Sequence, residues 1–286
     1  MKIFMAKDAG YCFGVRDAVN LAYDTAEKNG DVYMLGHIVH NENVVKDLDT
    51  AGAKVINSLE DIPNNNPILF RAHGTTVETW NDAKAKHINI VDATCPLVLE
   101  IHAEVKKLEA EGRTIIIIGD HGHDEGVGIA SQVKDAIIVS SPDEAKSLRK
   151  MKQAGVVSQS TQTIENVQEI INIIMTKVFD LRFVNTICYP TKRNQSQIKE
   201  LAKQCDVMIV IGSYTSANSK RLTALAKERN AHSFQVTCAN EINPKWLKSA
   251  EIVGVSAGAS TPDNIIDEVL TKIKEIGQVP EETIYG

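Results

Sequence analysis

"INIVDATCPLV", residues Ile88 to Val98, closes a short apolar run with a small polar turn and then sets a cysteine directly before a proline. Proline suits the first turn of a helix, where its missing N–H would have no intrahelical partner. The stretch therefore reads as a strand, a turn and a helix start, with Cys95 at the junction. The same layout occurs in "KIFMAKDAGYCFGV" (Lys2 to Val15) and "RFVNTICYPT" (Arg182 to Thr191), which place Cys12 and Cys188 in matching positions.

Working outward, each cysteine is followed by a second strand ending at a glycine: "VYMLGHIVHN", "TIIIIGDHGH" and "VMIVIGSYTSAN". The step from cysteine to glycine is 24 residues in all three, from Cys12 to Gly36, Cys95 to Gly119 and Cys188 to Gly212. A third strand follows in "PILFRAHGTT", "GVVSQSTQT" and "EIVGVSAGASTPD", each ending in small or hydroxyl residues ahead of a helical pattern. Alternating strands and helices predict an α/β fold with parallel sheets, and the repetition predicts three lobes near 1–90, 91–184 and 185–286. If a pseudo-threefold axis relates the lobes, their cysteines converge at the centre. The plainer alternative is three copies of a common strand-turn-helix unit with unrelated cysteines.

Composition narrows the classes. A chain of 286 residues that is 43% hydrophobic and 24% charged has the make-up of a globular protein. Its longest apolar runs, such as Val207 to Ile211, fall far short of the roughly 20 residues that a membrane span needs, and no signal-like segment is expected in Met1 to Lys7. These features predict a cytoplasmic protein with no membrane partner. A net charge of -6 argues against a nucleic-acid partner, which usually needs a basic footprint. Five cysteines at wide spacings do not form a secreted disulfide framework.

A thiol at a strand-to-helix junction faces backbone N–H groups and the positive end of a helix dipole, which favour the thiolate that ligates metal. Three such thiolates suit an iron-sulfur cluster or zinc, and leave one coordination position open to substrate. Cys205 and Cys238 have no counterparts in the other repeats and read as ordinary buried cysteines. The strand ends supply a second set of polar residues: His40 and His73; His121, His123, Asp124, Glu125, Ser160 and Thr161; and Ser216, Asn218 and Ser260. Neutral donors and imidazolium near helix N-termini would hold a phosphate or diphosphate. Glu125 is the candidate acid if a pocket encloses it, and a solvated loop carboxylate if not. "GVGIAS" (Gly126 to Ser131) is only part of a dinucleotide fingerprint, and no phosphate-binding G-x-x-x-x-G-K-[ST] loop occurs. His87, His102 and His232 read as helix-surface or connector residues.

On these residues the chain closely resembles the 4-hydroxy-3-methylbut-2-enyl diphosphate reductase family, also called LytB, over essentially its full length. The matching motifs are Gly10-Tyr11-Cys12-Phe13-Gly14-Val15, His40-Asn41 with Val44-Val45, Ala72-His73-Gly74, Asp92-Ala93-Thr94-Cys95-Pro96, Asn185-Thr186-Ile187-Cys188, Asn218-Ser219 with Arg221-Leu222, and Ser256 to Ser260 with Pro262-Asp263. The resemblance implies a central [4Fe-4S] cluster on Cys12, Cys95 and Cys188. It also implies a two-electron, two-proton removal of the substrate's allylic hydroxyl, giving isopentenyl and dimethylallyl diphosphates, with electrons from an external donor such as ferredoxin or flavodoxin. By motif position, His40, His73, Ser216, Asn218 and Ser260 would grip the diphosphate. His123, Glu125 and Ser160 would surround the hydroxyl, with Glu125 supplying the proton, and Thr161 would also contact the substrate.

The departures cluster near these motifs. Where the family reads H-P-E-V-x-G, this chain has His123-Asp124-Glu125-Gly126-Val127-Gly128, which trades a rigid proline for an aspartate and adds a flexible glycine. Gln159-Ser160-Thr161 replaces Q-T-T and keeps the hydroxyl. Ala217 interrupts the Ser216-to-Asn218 motif, and Asn194 stands where the family has arginine. Two other readings follow from the same residues: a non-redox lyase using an open cluster iron or a three-cysteine zinc, and an iron-sulfur sensor that has lost activity.

Overall fold

The structure, a computed structural model, describes residues 1–63, 66–278 and 284–285. The chain opens with β1 (Lys2–Met5), α1 (Phe13–Asn29), β2 (Val32–Leu35), α2 (Glu42–Thr50), β3 (Ala53–Ile56), β4 (Ile68–Phe70), α3 (Val77–Ala85) and β5 (Ile90–Asp92). It continues through α4 (Pro96–Ala110), β6 (Thr114–Ile118), α5 (Asp124–Ala130), β7 (Ala136–Val139), α6 (Pro142–Ser147), β8 (Met151–Ser158), α7 (Ile164–Ile174) and β9 (Val178–Phe183). The last part holds α8 (Tyr189–Gln204), β10 (Val207–Ile211), α9 (Ala217–Lys227), β11 (Ser233–Val236), α10 (Pro244–Leu247), β12 (Ile252–Ala257), α11 (Asp263–Gly277) and β13 (Ile284–Tyr285).

All the strand pairings described are parallel, and they form three sheets ordered β3-β2-β4-β5, β7-β6-β8-β9 and β11-β10-β12-β1-β13. The α/β expectation and the threefold internal repetition hold, but the sheets group the strands differently from the sequence repeats. Of the three cysteine-bearing strands, only β9 lies within the sequence repeat whose sheet it joins. β5, cut by the 90/91 boundary, completes the first sheet through Ile68↔Ile90 and Phe70↔Asp92. β9 completes the second through Val156↔Phe183. β1, assigned to residues 1–90, instead joins the last sheet through Lys2↔Ile252 and Met5↔Val255. Each sheet also gains a short edge strand (β3, β7 or β11) that the sequence pattern did not reveal.

By packing the chain divides into two compact units, one of Met1–Arg16, His40–Val44 and Tyr189–Gly286 and the other of Asp17–Val39 and Val45–Cys188. In the first unit, Val207, Ile209 and Ile211 face Ile265, Ile266, Val269 and Ile273 of α11, while the alternate residues Met208 and Val210 meet Ile198 of α8 and Leu222 and Leu225 of α9. Strand side chains alternate between faces, so a strand covered on both reads as the unbroken apolar run seen in the sequence. In the second unit β6 is built the same way: Ile116 and Ile118 meet α7, and Ile115 and Ile117 meet Ile101, Val105 and Leu108 of α4.

Candidate active site

The strand-end geometry is the same in all three sheets. Gly36, Gly119 and Gly212 donate their N–H groups to the carbonyls of Ile56, Val139 and Val236, at 2.8, 3.1 and 2.8 Å. This explains the constant 24-residue step: the glycine marks where the central strand leaves its edge neighbour. Each cysteine immediately precedes a helix, Cys12 before α1, Cys95 before α4 and Cys188 before α8. Each cysteine N–H donates to the loop after the adjacent strand: Cys12 to the Ala259 carbonyl (3.3 Å), Cys95 to Ala72 (3.0 Å) and Cys188 to Ser160 (3.0 Å). All three cysteines are half-buried and outside any disulfide. Cys205 is buried among Ala202 and Met208, and burial pushes its thiol pKa up.

In the unit holding Cys95 and Cys188, the central group is Glu125. It is only 1% exposed, and its carboxylate accepts from the Ser160 N–H at Oε1 (2.6 Å) and from the Ser160 hydroxyl at Oε2 (2.8 Å). The solvated-loop alternative for Glu125 therefore fails. Ser160 also accepts the Cys188 N–H, so one residue joins the acid to a cysteine loop. His123 caps α5 by accepting the Glu125 N–H at Nδ1 (3.2 Å), and its ring stands edge-on to His73 with centroids 5.8 Å apart. Thr161 accepts from Gln159 Nε2 (3.1 Å), while Gln159 Oε1 accepts the Asp120 N–H (3.0 Å). His121 turns away to the surface and pairs with Glu144 at 2.8 Å. Hydrogen bonds from the Ser140 backbone and hydroxyl, then His121, hold the Glu144 carboxyl down at about 2.

In the unit holding Cys12, the Ser260 hydroxyl donates to the His40 carbonyl (3.1 Å). Ser216 caps α9 by accepting the Ser219 N–H (3.3 Å). Asn218, in the first turn of α9, is 6% exposed, and neither end of its side-chain amide has a hydrogen-bond partner. A buried amide with both ends unmatched is costly unless a ligand or water completes it. This is the signature of a ligand-facing group at an anion-favouring helix start.

Three residues have roles that their sequence patterns did not reveal. Asn194 donates to the Ala257 carbonyl (3.0 Å) and accepts from the Ser256 hydroxyl (3.2 Å), tying α8 to the strand that leads to Ser260. Glu42 accepts from the Ser213 and Thr215 hydroxyls at 2.8 and 3.0 Å, fixing the loop before Ser216. His102, expected on a helix surface, is 8% exposed and lies beside Gly74. Burial, helped by the Lys106 ammonium and opposed by Asp92, holds its pKa down at about 4. Its position seven residues past Cys95 in an amphipathic helix was the available signal, on the same face as Val98, Ile101 and Val105. Among the described residues, no three His, Cys, Asp or Glu side chains are gathered closely enough to hold a metal ion.

Known proteins resemble this chain over nearly its whole length. The LytB protein family matches residues 3–274. The 4-hydroxy-3-methylbut-2-enyl diphosphate reductases of Geobacter metallireducens and Geobacter sulfurreducens are 42% and 41% identical to this chain, each alignment covering 96% of the chain and 98% of the relative. A solved (E)-4-hydroxy-3-methyl-but-2-enyl diphosphate reductase, the terminal enzyme of the non-mevalonate pathway, superposes with a TM-score of 0.72 at 34% identity over 96% of this chain and 100% of that one. The E-1-hydroxy-2-methyl-but-2-enyl-4-diphosphate reductase of Plasmodium falciparum gives a TM-score of 0.92 at 26% identity, covering 100% of this chain and 91% of the other. Near-full-length identity, together with three cysteine loops built alike, shows that the chain belongs to the LytB family.

Proposed function

We propose that the protein is a 4-hydroxy-3-methylbut-2-enyl diphosphate reductase acting at the last step of the non-mevalonate isoprenoid pathway. The observation that carries this reading is Ser160, whose N–H and hydroxyl hold the buried Glu125 carboxylate while its carbonyl takes the Cys188 N–H. An acid and a cysteine loop fixed on one residue suit a reaction that couples proton delivery to electron delivery.

The chemistry of the donor set fits an iron-sulfur cluster: three half-buried cysteines outside any disulfide, each preceding a helix and each with its main chain tied down. Cys12, Cys95 and Cys188 would hold a [4Fe-4S] cluster, which would supply the two electrons received from an external donor such as ferredoxin or flavodoxin. Five cysteines without a disulfide accord with a reducing, cytoplasmic setting.

The rest of the chemistry falls to side chains. His40, His73, Ser216, Asn218 and Ser260 bind the diphosphate, with the unmatched Asn218 amide and the α9 N-terminus as its principal neutral donors. His123, Glu125, Ser160 and Thr161 surround the allylic hydroxyl. Glu125 delivers a proton to the departing oxygen, and Ser160 holds the carboxyl in line. The C–O bond breaks, two electrons and a second proton convert the allyl unit to isopentenyl or dimethylallyl diphosphate, and the hydroxyl leaves as water. The test is anaerobic: reconstitute iron and sulfide, add a low-potential reductant and assay the substrate. Turnover is expected. An intact cluster without turnover, or zinc in place of iron and sulfide, would overturn the reading.

A further inference from the structure

α5 carries His123 and Glu125 but cannot hold itself in place. It has seven residues, two of them glycine, in the run Asp124–Ala130. Glycine costs a helix about 1 kcal/mol relative to alanine, and so short a helix is unstable alone. Its position must come from outside contacts: Ile129 is buried against Ile101 and Val105 of α4 and Ile115 of β6, Glu125 is held by Ser160, and further contacts come from the segment after β4. The Val77 N–H donates to Ser131 Oγ (3.2 Å) just beyond α5. Gly128 lies against the His73–Gly74 backbone, so that a Cβ there would stand 3.8 Å from the His73 carbonyl oxygen. At the other end, Arg71 forms an ion pair with Asp124, the first residue of α5.

The Arg71 guanidinium is well placed for this. It lies over Gly36, 3.2 Å from where a Cβ would project, so the glycine's missing side chain makes room for it. The Arg71 and Asp124 side chains are 21% and 35% exposed, so both are partly withdrawn from solvent. We infer that the Arg71–Asp124 ion pair is a positioning clamp for the acid: it fixes the first turn of α5, and with it Glu125, against the loop that bears His73. The inference rests on Glu125 being the proton donor. It assigns to Asp124 the restraint that a proline at the same position supplies through its ring.

This gives a clean test. Asp124 is the first helical residue and His123 is extended (φ -73°, ψ 132°); both conditions favour proline at 124. Asp124→Pro removes the charge yet restrains the same turn. In the reconstituted enzyme, Asp124→Asn and Arg71→Gln should each lower kcat about five- to tenfold with KM within about twofold. Asp124→Pro should retain kcat within about twofold, and adding Arg71→Gln to it should cost less than about twofold more. Hydrogen exchange of the 124–128 amides, measured on cluster-free protein without substrate, should speed up about fivefold in Asp124→Asn and Arg71→Gln but not in Asp124→Pro. A wild type without turnover would defeat the proposed function while the exchange data still decide the clamp. Wild-type exchange in Asp124→Asn, equal impairment in Asp124→Pro and Asp124→Asn, or an undiminished Arg71→Gln effect in the proline background would each overturn it.

Discussion

Ser160→Ala removes one hydrogen bond from the candidate acid and leaves another. The lost bond is the 2.8 Å contact from Ser160 Oγ to Glu125 Oε2; the 2.6 Å contact from the Ser160 N–H to Oε1 survives, because alanine keeps the backbone. Hydrogen bonds to charged groups are worth about 1.5–3 kcal/mol, and Glu125 at 1% exposure cannot recover the loss from water. If that bond holds the carboxyl in line during proton delivery, kcat falls about 10- to 150-fold, with KM nearly unchanged. Glu125→Gln should cost about 10²- to 10⁴-fold while substrate binding, followed by the paramagnetic resonance spectrum of the cluster, is retained. Because Ser160 acts through Glu125, adding Ser160→Ala to Glu125→Gln should cost less than about threefold more. Ser160→Thr, which keeps a hydroxyl, should turn over within about threefold of wild type. Factors that simply multiply in the double variant, or a threonine variant as impaired as alanine, would refute the argument.

Cys95→Ser should abolish retention of iron and sulfide after anaerobic reconstitution, whereas Cys205→Ser should keep the full complement; equal loss in both would remove the ligand assignment. The His102 pKa is lowered in the folded state to about 4, so the unfolded chain binds the proton more readily and stability is lost as pH falls from about 6.5 toward 4. Denaturant unfolding of the cluster-free protein should show His102 contributing a loss of about 2 kcal/mol between pH 7 and pH 5, absent in His102→Gln; an unchanged slope in that variant would refute it. A Cβ at Gly258 would lie 2.1 Å from Ser219 Oγ and 3.2 Å from its Cβ. Gly258→Ala should therefore destabilise by about 2 kcal/mol, and adding Ser219→Ala, which removes a buried hydroxyl without a partner, should recover about half of that.

Parts of the candidate site were legible because they are local. Cys95 before Pro96, and the matched junctions at Cys12 and Cys188, are set by a strand ending and a helix beginning within a few residues. Ser216 could be placed at the start of α9 from its motif alone. Glu125 could not be decided the same way: its burial depends on Ser160, 35 residues away. His102 was misjudged because one polar residue on an apolar helix face does not show whether a neighbouring loop covers it, and Gly74 does. The aspartate at 124 reads as a loss of rigidity in the sequence alone, whereas in the fold Arg71 lies beside it.

By itself the sequence determined the α/β class, the threefold repetition and the strand-to-helix placement of each cysteine. Hydrophobic periodicity, turn residues and a constant 24-residue step are properties of the chain that need no partner. Only the tertiary structure decided which sheet each cysteine-bearing strand completes. The apolar pattern of β1 suits any parallel sheet equally well, and its pairing with β12 some 250 residues away is settled by the tertiary packing that buries Ile3 in the core with Val253 and Val255. Tertiary packing likewise decided that Glu125 is enclosed, that Asn218 keeps an unmatched amide, and that Arg71 reaches Asp124. Each is a non-local balance of desolvation against partnership, which exists only once distant segments meet.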